Sequence, residues 1–207
     1  MQPVDVLLSE AVQFVNAAQP ERAWRLCEQA LSRHPPHPGI HQLLALLALQ
    51  QDRFALAHQH AAASLLLRPD HLPTLVLQVD AARAAGLVST LAPALERIVV
   101  LDASRIEAWF QLAVLRQDAL DFVGAQDALR QVLRLDPLRV DARMNLGMVL
   151  QALHLMPQAL ASYGQAYRLQ PSCFGRIAHA LSSASSGSLW LSLEALRADL
   201  LRAPELA

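Results

Sequence analysis

RLDPLRVDA, residues 134–142, closes one helical pattern at an Asp-Pro step and opens another a few residues later. Proline pushes the residue before it out of helical geometry, so the step ends a helix and Val140-Asp141-Ala142 begin the next. Echoes stand at Leu66-Leu67-Arg68-Pro69 and Tyr167-Arg168-Leu169-Gln170-Pro171. Working outward, Pro35, Pro69, Pro137 and Pro171 are spaced by 34, 68 and 34 residues, and the one missing beat falls on Ala103. The chain therefore repeats every 34 residues, five times. A period of this size marks a solenoid, in which no unit can bury its own apolar face and each must stack on its neighbours.

Packing residues recur in phase with the prolines. Ala11, Ala45, Val79, Ala113 and Gly147 form one column, and Ala23, Ala57, Leu91, Ala125 and Ala159 a second. Ala30, Ser64, Ile98, Val132 and Ala166 form a third. Small side chains at fixed points let two helix backbones approach closely. Large residues fill the space left over, with Leu7, Leu75 and Trp109 in one column and Leu95, Leu129 and Tyr163 in another.

The composition agrees with helices. Of 207 residues 54% are hydrophobic, Gly is scarce and Ala, Leu and Gln are abundant, so most residues are good helix formers. All 17 basic residues are Arg, and the net charge of -1 gives no electrostatic case for nucleic acid. The N-terminus carries Asp5 and Glu10 before any basic residue, unlike a secretory signal. No apolar stretch approaches the roughly 20 residues of a membrane span, so a cytoplasmic protein is expected. Cys27 and Cys173 stand far apart and read as packing residues.

A 34-residue unit with Trp109, Leu112, Ala125, Leu129 and Pro137 in one copy, and Leu146, Gly147, Ala159, Tyr163, Ala166 and Pro171 in the next, resembles the tetratricopeptide repeat. The resemblance covers residues 4–173. It implies an all-α fold, a right-handed α-solenoid of helix-turn-helix repeats with a C-terminal capping helix. The expected organisation is a single domain over 1–207, with repeats at about 4–37, 38–71, 72–105, 106–139 and 140–173 and a cap at 174–207. Repeat three departs most, because Val79, Leu91 and Ile98 are bulky and Ala103 replaces the proline, so altered packing is expected there.

Local signals place the helix starts. Ser104 with Glu107 reads as a capping box, and Asp70 and Ser172 as simpler caps of first helices. Second helices open near Pro20 and Pro157, with Asp52 and Asp121 as cap candidates for others. After a Ser-rich stretch, Leu189, Leu193, Leu196 and Leu200 form one apolar helical face. It reads as a cap over the last repeat, with insertion into the groove as the alternative.

In the resembled family, first helices line a concave groove that binds ligands. That pattern gives Leu8, Val12 and Val15 from repeat one and Gln42, Leu46 and Leu49 from repeat two. Repeats three to five supply Val76, Asp80 and Arg83, then Phe110, Val114 and Gln117, then Met144, Met148 and Gln151. The strongest candidates are Leu46, Val76, Phe110, Val114, Met144 and Met148. Family members that grip the acidic C-terminal peptide of heat-shock chaperones use Lys, Asn and Arg where this chain has Leu8, Val12, Leu43, Pro73 and Leu77. The clamp is absent, and an apolar groove suits an amphipathic helix or apolar extended segment of a partner protein.

The expected function is therefore a non-catalytic protein-interaction module, an adaptor, scaffold or chaperone, with no cofactor and no nucleic-acid partner. The alternatives are a substrate-recruiting region of a larger enzyme such as a glycosyltransferase, and a self-assembling scaffold in which the groove or the Trp190 helix of one copy meets another. His37 and His41 have the helical spacing of a ligand pair, yet no third ligand has a predictable place, so no metal is expected. No Gly-rich phosphate loop, activated-Ser motif or paired carboxylates are present. Asp80 and Arg83 read as a salt bridge, and Arg130 with Arg134 as a small basic ridge on a solvated face.

Overall fold

The computed structural model describes residues 3–183 and 192–204, and the described chain is helical, without strands. It divides into two compact units, 1–102 and 103–207. The first holds α1 (Val4–Asn16), α2 (Pro20–Arg33), α3 (Pro38–Gln50), α4 (Phe54–Leu67), α5 (Leu72–Ala84) and α6 (Leu91–Leu101). The second holds α7 (Ile106–Asp118), α8 (Phe122–Leu135), α9 (Val140–Ala152), α10 (Met156–Leu169), α11 (Phe174–Ser183) and α12 (Leu193–Arg202). Within each unit consecutive helices pair into hairpins, and the second helix of a hairpin packs on the first helix of the next, α2 on α3, α4 on α5 and α8 on α9.

First helices start at Val4, Pro38, Leu72, Ile106, Val140 and Phe174, each 34 residues after the last. The three columns of small in-phase residues are buried throughout, including the bulkier Val79, Leu91 and Ile98 of the third hairpin. At Gly147 the Tyr163 ring lies where a Cβ would stand, so this column position admits nothing larger. In the first unit Leu7, Ala11, Ala23, Cys27, Ala30 and Leu44 share one core. In the second, a core from Ala113 to Leu200 surrounds Leu129, Leu150 and Tyr163.

The turn inside each hairpin repeats more strictly than any side chain. Ala18, Asp52, Gly86, Leu120 and His154, again 34 apart, all take left-handed backbone, with φ of 55, 57, 71, 63 and 60°. In all five turns the next residue's N–H reaches back five residues, as in Gln19 to the Phe14 carbonyl at 2.9 Å. The left-handed residue's own N–H reaches back three, as in Ala18 to Val15 at 3.0 Å. These two bonds are the Schellman motif, which satisfies carbonyls left open at a helix end. Four of the five positions carry a Cβ there, at a cost of about 1 kcal/mol each.

Several expected caps fall elsewhere. α7 begins at Ile106 with Arg105 at its N-cap and no side-chain cap bond, so the Ser104/Glu107 capping box does not form. Glu107 instead pairs with Arg139 at 2.8 Å. Asp70 pairs with Arg97, whose Nε donates to it at 2.6 Å, and His71 holds the N-cap of α5. Asp52 occupies the left-handed turn, leaving Arg53 at the N-cap of α4. Ser172 lies inside a short 3-10 turn, Pro171–Cys173, and accepts from the Gln170 amide at 3.0 Å. Asp121 caps as expected, accepting from the Gly124 N–H at 3.0 Å. Pro20 opens α2, and Pro157 sits in the first turn of α10.

The third hairpin differs from the others in the start and length of its second helix. A 3-10 turn, Val88–Thr90, precedes α6, which has 11 residues where α4 and α8 have 14. The C-terminal helix is a cap. α12 packs on α10, burying Leu196 and Leu200 in the core of the second unit. Ser192 caps its start, accepting from the Glu194 and Ala195 N–H groups at 3.2 Å. Arg168 closes its end by donating to the Leu200 and Ala203 carbonyls at 3.1 Å. Gly164 lets the two backbones meet, since a Cβ there would collide with the Leu200 carbonyl. Leu189 and Trp190 lie outside the described residues.

The turn geometry predicts opposite effects at two in-phase positions. Leu120 is exposed, so Leu120→Gly relieves strain at little loss of burial and raises stability by about 0.5–1 kcal/mol. Gly86→Ala meets no neighbouring atom yet lowers stability by about 1 kcal/mol through backbone strain alone. Urea unfolding of both variants checks this, and equal or reversed signs contradict it.

Candidate functional site: an apolar cleft in the first unit

Residues one helical turn apart on successive first helices converge on one cleft. Leu8 and Val12 come from α1, Gln42, Leu43 and Leu46 from α3, and Pro73 and Leu77 from α5. An i, i+4 spacing puts each pair on one helix face, and the 34-residue phase brings the three faces side by side. The cleft holds about 450 Å3, and Gln42 is the single polar side chain in its lining. Val12 and Leu46 remain 40% and 38% exposed, so its apolar wall is accessible.

The other groove candidates separate by accessibility. Leu49 is half-buried, packed against the alanine clusters Ala45/Ala61 and Ala48/Ala57/Ala81. Val76 is half-buried on α5. Asp80 and Arg83 are exposed and form an i, i+3 pair at 3.9 Å, a contact of small energetic weight in solvent. In the second unit Phe110, Val114, Gln117 and Met148 are half-buried. One face of the Phe110 ring is covered by the Arg139 guanidinium, 4.2 Å from its centroid, which Asp141 also holds at 2.9 Å.

Met144 and Gln151 do not offer a surface. Met144 is 1% exposed and belongs to the core. Gln151 is buried, accepting from the Tyr163 hydroxyl at 3.1 Å and donating to the Ala180 carbonyl at 3.2 Å. Gln151 thus meets α11 through the Ala180 carbonyl, and Met144 shares its core cluster with Ile177 and Leu181 of that helix.

A second constellation joins three helices of the first unit. The Nδ1 atoms of His41 and His60 are 3.3 Å apart, so one ring donates and the other accepts. Trp24 meets His60 edge-on at 5.9 Å, and the Arg53 guanidinium lies 4.8 Å from the Trp24 ring. Burial lowers both imidazole pKa values, assisted by His37 at His41 and by His41 and Arg53 at His60, with Glu28 opposing at His60. His37 itself pairs with Asp5 at 3.4 Å. Among the described residues no group of three or more His, Cys, Asp or Glu is placed to hold a metal. Burial pushes the Cys27 thiol up to about 11 and also raises Cys173, so both stay protonated and poorly nucleophilic at neutral pH.

No protein-family model matches the chain, and no curated protein matches it. Solved structures do. A MamA structure from strain AMB-1 aligns with a TM-score of 0.67 at 15% identity, covering 81% of this chain and 92% of that one. Another, described as the crystal structure of MamA protein, gives 0.63 at 21% identity over 80% and 86%. MamA from Desulfovibrio magneticus RS-1, residue 41 to its end, gives 0.60 at 15% over 82% and 96%. At these identities the likeness shows the fold alone, an array of helical hairpins. No described helix is long and apolar enough to cross a membrane.

Because His41 and His60 are held neutral in the folded chain, their pKa values there lie below the ordinary value of about 6.5. Their contribution to stability is complete above that pH. It is lost as the pH falls, because the unfolded chain takes up protons that the folded pair resists. The urea midpoint should therefore drop between about pH 7.5 and 5.5 in the wild type and drop less in His60→Gln. Equal declines in both proteins contradict this assignment.

Proposed function

We propose that this protein is a non-catalytic interaction module of the tetratricopeptide type, with five repeats, whose first helices receive an apolar or amphipathic segment of a partner protein. The observation that carries the reading is the accessible cleft of Leu8, Val12, Leu43, Leu46, Pro73 and Leu77 with a single polar liner. Such a lining rewards burial of aliphatic or aromatic side chains, at about 25 cal/mol per Å2 of apolar surface. It offers no counter-charge to an acidic tail. Leu49, Val76, Asp80 and Arg83 would extend the contact along α3 and α5. Phe110, Val114, Gln117 and Met148 would serve the same role on α7 and α9.

Val12→Asp/Leu46→Asp tests the reading without disturbing the core, since both side chains reach solvent. The variant should keep its helical content by circular dichroism and lose at least about tenfold of its partner retention in affinity capture from the source organism. An unchanged set of retained proteins would move the site off the cleft.

A further inference from the structure

We infer that the second unit carries a separate docking site for a short acidic segment of a partner protein, in a pocket walled by Arg130, Arg134 and Arg143. The pocket holds about 460 Å3 and lies among α8, α9 and α10. Its remaining lining is Leu133, Pro137, Leu146, Leu150 and Gln158, so three guanidinium groups stand over an aliphatic floor with no carboxylate in the wall. On sequence alone Arg130 and Arg134 read as a solvated ridge. The fold instead places them at the edge of a concavity.

The three arginines are not equivalent. Arg143 is committed to the fold: its Nε donates to the Pro137 carbonyl at 3.1 Å, and Nη1 bonds to Gln165. Arg130 and Arg134 are exposed and have neither hydrogen bond nor ion pair among the described residues. The nearest carboxylates in sequence, Asp127 and Asp136, do not line the pocket, and Asp136 is engaged with the Leu138 N–H at 3.1 Å. Two unpaired, permanently charged forks beside apolar surface are suited to an acidic, apolar guest.

Geometry narrows the guest further. Arg130 and Arg134 are an i, i+4 pair, so their side chains leave α8 about 5–6 Å apart. Two carboxylates one helical turn apart, or two residues apart on a strand, present the same spacing. An aliphatic side chain between them would meet Leu133 and Pro137, the accessible apolar part of the lining, with Leu146 and Leu150 buried beneath. A nucleic-acid backbone would use the charges and leave that floor unfilled, and two free arginines are few for such a ligand.

The probe is a library of random linear peptides displayed on phage, selected against the full chain. Enriched peptides should carry paired Asp or Glu at helical or strand spacing around a Leu, Ile, Val or Met. Synthesised and fluorescein-labelled, they should bind at least about tenfold more weakly to Arg130→Glu/Arg134→Glu. Val12→Asp/Leu46→Asp should bind them as the wild type does, which separates this site from the apolar cleft. The inference is overturned if no acidic peptide is enriched, or if the charge-reversed chain binds equally well. It is also overturned if only the cleft variant loses binding, or if oligothymidylate or inorganic phosphate competes with the peptide at equal concentration.

Discussion

The fold depends on where each first helix stops. A left-handed residue at 18, 52, 86, 120 and 154 reverses the chain after the same number of residues every time, and two backbone bonds lock each reversal. Only with the reversal fixed do Ala11 and Ala23, or Gly147 and Ala159, fall in register as the small contacts between paired helices. The lock is made of backbone groups, so it tolerates Ala, Asp, Gly, Leu and His at one structural position. Strain at four of these sites persists because the packed hairpin over-determines the turn.

This explains which parts of the architecture were legible in the sequence. The period, the helix starts at Val4, Pro38, Leu72, Ile106 and Val140, and the buried columns follow from side-chain identity. The turn conformation does not, because Gly86 is the single glycine among the five positions. Nor does proline create the inter-repeat step by itself. Asp102 precedes Ala103, yet its φ of -145° and ψ of 88° match Gln170 before Pro171, at -144° and 90°. Packing imposes that geometry, and proline is a residue that suits it. Cap residues were the least legible, because Asp70 and Glu107 had ion-pair partners, Arg97 and Arg139, 27 and 32 residues away.

The candidate cleft was partly visible. Leu8, Val12, Gln42 and Leu46 follow from the groove pattern, while Leu43, Pro73 and Leu77 entered the reading only as replacements for an absent charged clamp. Together they line one cleft whose surface is aliphatic, with Gln42 its single polar side chain. Met144 and Gln151 are buried where the groove pattern expects a surface, Gln151 through its bonds to Tyr163 and Ala180 and Met144 in the core of the second unit. The basic pocket needed the fold, since Leu146, Leu150 and Gln158 lie on helices other than that of Arg130 and Arg134.

The two units thus carry surfaces of contrasting chemistry, an uncharged cleft in the first and an arginine-walled pocket in the second. The claim on which the functional account rests is that the cleft is where a partner sits. Site-specific photo-crosslinking tests it most directly, with benzoylphenylalanine placed at Leu46 and, as a control, at Leu66, which is 84% exposed on α4. The account predicts a discrete crosslinked partner from position 46 and none from position 66. Crosslinking from position 66 alone, or equal products from both, would contradict it.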